Sequence, residues 1–220
     1  MARRADLVIF DCDGVLVDSE TISNRVLAEM LSDEGLPTTP AQSRREHQGM
    51  LLKDIRVSAE RRLGRRLADD WIASYESERD SAFRKELRPV PGVAEAIARI
   101  EQAEMAVCVA SQGKLAKIGL TLTLTGLDRF FPADARFSSY SVANGKPAPD
   151  VFLHAATSMG AEASDCVVVE DSPSGVLGAV RARMRVVGYA ADSDEQALRD
   201  AGASIVLHSL DRLAEALELE

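Results

Sequence analysis

Asp11 and Asp13 stand two positions apart, directly after the apolar run Leu7, Val8, Ile9, Phe10 and directly before Gly14. The run has the length of a short buried strand, which places both carboxylates where a strand end meets solvent. Side chains alternate across a strand, so the two acids can share a side while Cys12 takes the other. Like charges so close repel strongly unless a cation is bound or one acid keeps its proton. Either arrangement is usable in catalysis. The plain alternative is a solvated acidic turn, since Asp and Gly are common where strands end.

Further polar residues follow apolar runs or glycine turns in the same way. Met105 to Ala110 leads to Ser111 and Gln112; Cys166 to Val169 leads to Glu170 and Asp171; Asn144 and Gly145 lead to Lys146, with Pro147 and Pro149 after it. Ligands of open α/β sheets bind beyond the carboxyl ends of the strands. Four segments therefore converge on one place. Read alone, Ser111 is also a helix cap and Lys146 an exposed turn lysine.

The elements that must position these groups differ between the middle and the flanks of the chain. Short apolar runs alternate with amphipathic stretches in the flanks, as in Val93, Ile97 and Ile100 after Pro91-Gly92, which is the pattern of βαβ units. Between Asp18 and Arg88 helical spacing prevails. Ile22, Val26, Leu27, Met30 and Leu31 form a first helix, Ile55, Ala59 and Leu63 a second ending at Gly64, and Trp71, Ile72, Tyr75, Ala82, Phe83 and Leu87 a third. The expectation is an α/β fold: a parallel-sheet core flanked by helices, residues 1–17 and 89–220, with a small helical domain, residues 18–88, inserted after the first strand.

Composition agrees. With 220 residues, 46% hydrophobic and 28% charged, the chain is large enough for one core and a small accessory domain. No run approaches the roughly 18 apolar residues of a membrane span. The apolar part of the N-terminus is too short for a signal peptide, so a cytoplasmic protein without a membrane partner is expected. A net formal charge of -9 argues against nucleic acid as a routine partner. The charge is uneven, because the segment from Asp18 to Arg88 holds 14 acidic and 13 basic residues. Arg61, Arg62, Arg65 and Arg66 within it read as a solvated helix surface, or as a side that attracts an anion. Cys12, Cys108 and Cys166 lie in or beside strands without metal-ligand spacing and read as reduced core thiols. His47, His154 and His208 are scattered.

The ordered set DCDGVLVDSE, Ser111 in ASQG, Lys146 in GKPAPDVF and VVVEDSPSGVLGA resembles the four motifs of the haloacid dehalogenase superfamily, across essentially the whole chain. The length between Asp13 and Ser111 resembles subfamily IA, the group of β-phosphoglucomutase and the sugar-phosphate phosphatases, which carries a helical cap on a Rossmann-like core. The resemblance implies a Mg²⁺-dependent phosphatase of a small phosphorylated metabolite, a sugar phosphate or sugar-acid phosphate. Asp11 would be the nucleophile that forms an aspartyl-phosphate, Asp13 the acid and base, Ser111 and Lys146 the phosphoryl-binding groups. Asp11, Asp13 through its carbonyl, Glu170 and Asp171 would serve the metal. Substrate contacts would come from Glu20, Gln48, Gly49, Met50 and Lys53, near Arg44 and Arg45, and from Ser111, Gln112 and Lys146.

Dehalogenases of the superfamily lack the second aspartate, so Asp13 favours phosphoryl transfer. Mutases carry a histidine ten residues beyond that aspartate, where this chain has Ser23, and an arginine after the cap glycine, where it has Leu51-Leu52. A phosphatase acting as a monomer is the reading. A phosphomutase is the alternative, and a phosphometabolite-binding protein without turnover the third.

Overall fold

The computed structural model describes residues 5–47 and 50–219, and the chain divides into two compact units. One runs to Val17 and resumes at Pro89; the other is Asp18–Arg88. The chain leaves and re-enters the first unit side by side, through an antiparallel bridge between Val17 and Pro89 and a 3.0 Å bond from the Val90 N–H to the Leu16 carbonyl.

In the first unit β1 (Leu7–Phe10) is followed, beyond the insertion, by α5 (Val93–Gln102), β2 (Ala106–Ser111), α6 (Leu115–Thr125) and β3 (Arg136–Ser138). Then come α7 (Asp150–Ser158), β4 (Cys166–Glu170), α8 (Pro173–Arg181), β5 (Arg185–Tyr189), α9 (Glu195–Ala201), β6 (Ile205–Leu207) and α10 (Leu213–Ala216). The described strands form one sheet in the order β3-β2-β1-β4-β5-β6, every neighbouring pair parallel. Parallel strands are covered on both faces, which is why β1 and β4 are apolar without alternation. Leu7 and Ile9 join Cys108, Ala110, Cys166 and Val168 in a cluster closed by Val151, Phe152 and Ala155 of α7, Val176 of α8 and Leu198 of α9. From the next strand position Phe10 meets the Phe131 ring edge-on, 6.1 Å between centroids. Each fully buried Val, Leu, Ile or Phe side chain among them contributes about 1.5–3 kcal/mol. All three cysteines are buried free thiols.

The order of strands decides where chemistry can sit. Crossovers run to one side of β1 through β2 and β3 and to the other through β4, β5 and β6, so the crevice at the carboxyl ends of β1 and β4 is the topological switch point. Val169 lies opposite Phe10, and the Asp11 N–H continues the ladder to the Val169 carbonyl at 2.9 Å. Asp11 and Glu170 therefore leave the sheet side by side.

The second unit holds α1 (Glu20–Asp33), α2 (Pro40–His47), α3 (Leu52–Leu63) and α4 (Trp71–Glu86). Gly64 ends α3 with a left-handed φ of 67°. Three helices are expected from apolar spacing, and α2 is the addition. Its sequence PAQSRREH buries only Ser43 and His47, so apolar periodicity cannot reveal it. It is held by polar contacts. The Thr39 N–H donates to Gln42 Oε1 at 2.8 Å while the Gln42 N–H donates to Thr39 Oγ1 at 3.2 Å, a reciprocal capping box with Pro40 next in line. Ser43 Oγ donates to Asn24 Oδ1 at 2.9 Å and so ties α2 to α1.

Candidate active site

The candidate site is built on the first unit from the loops that follow β1, β2 and β4 and the loop ahead of α7. After β1 the backbone turns back at once: the Leu16 and Val17 N–H groups donate to the Cys12 carbonyl, and the Gly14 N–H to the Val17 carbonyl. Gly14 adopts φ 79°, a conformation that favours glycine. A Cβ there would collide with the Asp171 carboxylate. The turn thus brings the β4 loop against the β1 loop. Gly14→Ala is expected to displace Asp171 and to lower turnover by about tenfold or more, the order of loss that misplacing a site group by a fraction of an ångström produces; kcat of the purified variant checks it.

Lys146 is the hub of the site. It is 7% exposed, and its Nζ donates to Asp11 Oδ1 at 2.5 Å and to Glu170 Oε1 at 2.6 Å. The Phe152 ring lies 5.0 Å from the ammonium, a further favourable contact for a cation. Burial opposes its charge, but the two carboxylates hold Lys146 protonated, its pKa above the ordinary lysine value. Burial pushes the Asp11 carboxyl above the ordinary range; Lys146 opposes this, and the nearby Glu170 and Asp13 add to the rise. The loop carrying Lys146 is fixed from outside. Its own N–H donates to Gln112 Oε1 at 3.1 Å, and Arg181 donates to the Pro147 carbonyl at 2.9 Å.

Glu170 is 1% exposed. Its second oxygen accepts from the Ser172 N–H and from Ser172 Oγ, both at 2.9 Å, and Ser172 Oγ in turn accepts from the Gly175 N–H to cap α8. A Cβ on Gly175 would enter the Glu170 carboxylate, so glycine there permits the contact. Ser111 ends β2 almost fully buried, its Oγ accepting from the Gly113 N–H at 3.0 Å. That bond does not cap α6, which begins at Leu115 without a side-chain cap. Asp13 is bound by a residue not singled out in the sequence: Lys117 Nζ donates to Asp13 Oδ1 at 2.6 Å. Cys12 points to α6 as well, its Sγ 3.6 Å from Thr121 Oγ1.

Asp11, Lys146 and Glu170 are in direct contact; Ser111, Gly113 and Asp13 form a second group beside Lys117. Gln112 is engaged with the Lys146 backbone, and the described bonds of Glu170 go to Lys146 and Ser172. Glu20 opens α1, its carboxylate accepting from Asn24 Nδ2 at 3.2 Å. Met50 and Lys53 are exposed in the second unit, and Gln48 and Gly49 lie outside the described residues. Lys117 had a signal in the sequence. It is a cation in the first turn of a helix, where the macrodipole disfavours positive charge.

Whether these residues fit a divalent cation turns on charge and donor type. Asp11, Asp13, Glu170 and Asp171 bring four carboxylates to the ends of β1 and β4, where Lys146 bonds Asp11 and Glu170 and Lys117 bonds Asp13. Carboxylate oxygens of this kind are the hard donors that a divalent cation such as Mg²⁺ takes. Among the described residues no three His, Cys, Asp or Glu side chains gather into a ready metal cluster. Mg²⁺ does not require one, since it is commonly held by one or two carboxylates with substrate oxygens and water. The oxygen donors therefore fit.

A family model of haloacid dehalogenase-like hydrolases matches residues 5–183. The chain belongs to the haloacid dehalogenase-like hydrolases. Among relatives in this family, 6-phosphogluconate phosphatase of Escherichia coli K12 is 30% identical over 190 residues, 86% of this chain and 84% of that one. Hexitol phosphatase B of the same organism is 28% identical over 218 residues, 96% and 95% of the two chains. A haloacid dehalogenase-like protein of unknown function from Agrobacterium tumefaciens superposes with a TM-score of 0.83 at 32% identity, covering 97% of this chain and 98% of that one. The Rossmann-like sheet and its flanking helices are the fold of this hydrolase family.

Proposed function

We propose that this haloacid dehalogenase-like hydrolase is a Mg²⁺-dependent phosphatase of small phosphorylated sugars or sugar acids, working through an aspartyl-phosphate on Asp11. The observation that carries the reading is the buried Asp11 carboxylate held by Lys146 at the switch point of the sheet. The phosphatase relatives support the substrate class.

In this reading an Asp11 oxygen attacks phosphorus as the ester oxygen departs. Lys146 keeps its charge beside both Asp11 and the transferring group, and Ser111 Oγ with the Gly113 N–H binds phosphoryl oxygens. Asp13 gives its proton to the leaving oxygen and later takes one from the water that attacks the phosphorylated Asp11, which returns both carboxyl groups to their starting state. Glu170, with Ser172, holds Lys146 in place. Asp11, Asp171 and the Asp13 carbonyl would hold Mg²⁺, whose chemistry when bound is to neutralise charge on the phosphoryl oxygens. Contact of Glu20, Gln48, Gly49, Met50 and Lys53 with the leaving group is part of the proposal, as are a monomeric state and action in the cytoplasm.

The test is phosphate release from a panel of hexitol phosphates, sugar-acid phosphates and nucleotides. EDTA is expected to lower turnover by about 10²-fold, the rate equivalent of a few kcal/mol, and added Mg²⁺ to restore it. Isomer formation that needs a bisphosphate primer would replace the phosphatase by a phosphomutase. Binding of an ester without any release would leave a binding protein.

A further inference from the structure

Lys117 is the third residue of α6, in the turn where helix electrostatics disfavour a cation. A specific partner compensates. Its ammonium lies 2.6 Å from Asp13 Oδ1, with the two side chains 17% and 19% exposed, although the residues are 104 positions apart. The lysine stem passes over Gly113: a Cβ there would sit 3.3 Å from Lys117 Cδ, 3.5 Å from Ser111 Oγ and 3.9 Å from Asp13 Oδ2. Oδ1 is held by Lys117, and Oδ2 is turned to the Gly113 and Ser111 side, where the phosphoryl group is placed in the proposed function.

We infer that Lys117 is a positioning residue for Asp13, pinning Oδ1 so that Oδ2 is presented to the leaving oxygen. The inference rests on the reading of Asp13 as the acid and base. Oδ2 releases its proton to the leaving oxygen as the phosphorus–oxygen bond breaks, and regains one from the water that attacks the phosphorylated Asp11. Lys117 exchanges no proton and touches no reacting atom. A carboxylate at a loop end has side-chain freedom of its own, and proton transfer requires hydrogen-bond reach. The pin removes that freedom.

The experiment compares Lys117→Met and Lys117→Arg with the unmodified protein on two esters. A hexitol phosphate releases an alkoxide that needs a proton, whereas p-nitrophenyl phosphate releases a phenolate that leaves without one. First-turnover release of the alcohol isolates the step. Lys117→Met is expected to slow it about 10²-fold on the hexitol phosphate, the cost of a misplaced catalytic group. Release of p-nitrophenolate should stay within about threefold and KM within about twofold. Lys117→Arg, which keeps a donor, should recover most of the rate. Crystal structures should show the Asp13 carboxylate displaced in Lys117→Met; Lys117→Gln serves the same comparison if the Met variant does not fold.

Equal losses on both esters would overturn the inference, as would a rise in KM alone, which would make Lys117 a substrate ligand. An unmoved Asp13 in the variant crystal would overturn it too. If the unmodified protein releases phosphate from no ester, the phosphatase reading falls separately. The position of Asp13 in the two crystals then decides the role of Lys117 by itself.

Discussion

Replacing Asp11 by asparagine is expected to lower turnover of every phosphate ester the protein accepts by roughly 10⁴-fold or more, the scale of loss when the nucleophile of a covalent mechanism is removed. The amide has the shape of the carboxylate and can still accept a hydrogen bond from Lys146, so the loss is chemical and not a collapse of the site. Stability should hold or rise. Burial, with the nearby Glu170 and Asp13, already disfavours the charged form of Asp11, and the neutral isostere never carries that charge. Phosphate release and the thermal midpoint, measured on one preparation, check both halves. Turnover retained in Asp11→Asn would end the covalent mechanism, whatever the fate of the phosphatase activity.

Lys146→Met should damage both function and fold. The ammonium is the described partner shared by Asp11 and Glu170, and it is buried with them. Removing one partner of a buried pair costs about 3–5 kcal/mol, because the charges left behind are uncompensated. Turnover is expected to fall by about 10²–10³-fold, as when a charge-stabilising donor is lost. A second substitution separates the two effects. Glu170→Gln in the Lys146→Met background removes one of the orphaned carboxylates and should restore part of the stability without restoring turnover. Urea unfolding of the single and double variants measures the coupling. If Lys146→Met proves as stable as the unmodified protein, the hub described here is not what holds the strand ends together.

The architecture was legible because it is written locally. β1 and β4 are short apolar runs that stop abruptly, at Asp11 and at Glu170, and the glycine after Leu63 ends α3 in the left-handed conformation. α2 was not legible by the same rule, since it buries Ser43 and His47 in place of an apolar stripe. Its signal was Thr39-Pro40-Ala41-Gln42, a capping pattern rather than a periodicity. The strand-end positions of Asp11, Ser111 and Glu170 could likewise be read from where apolar runs stop.

By itself, then, the sequence determined the class of fold and which polar residues stand where strands end, because burial of a strand leaves a one-dimensional trace in successive side chains. Tertiary structure decided the pairings. Lys146 between Asp11 and Glu170, Gln112 beneath the Lys146 loop, and Lys117 on Asp13 join residues 135, 24, 34 and 104 positions apart. Their partners depend on how α6 and α7 pack against the sheet, and on the angle at which each loop leaves its strand. No periodicity in the chain records either quantity.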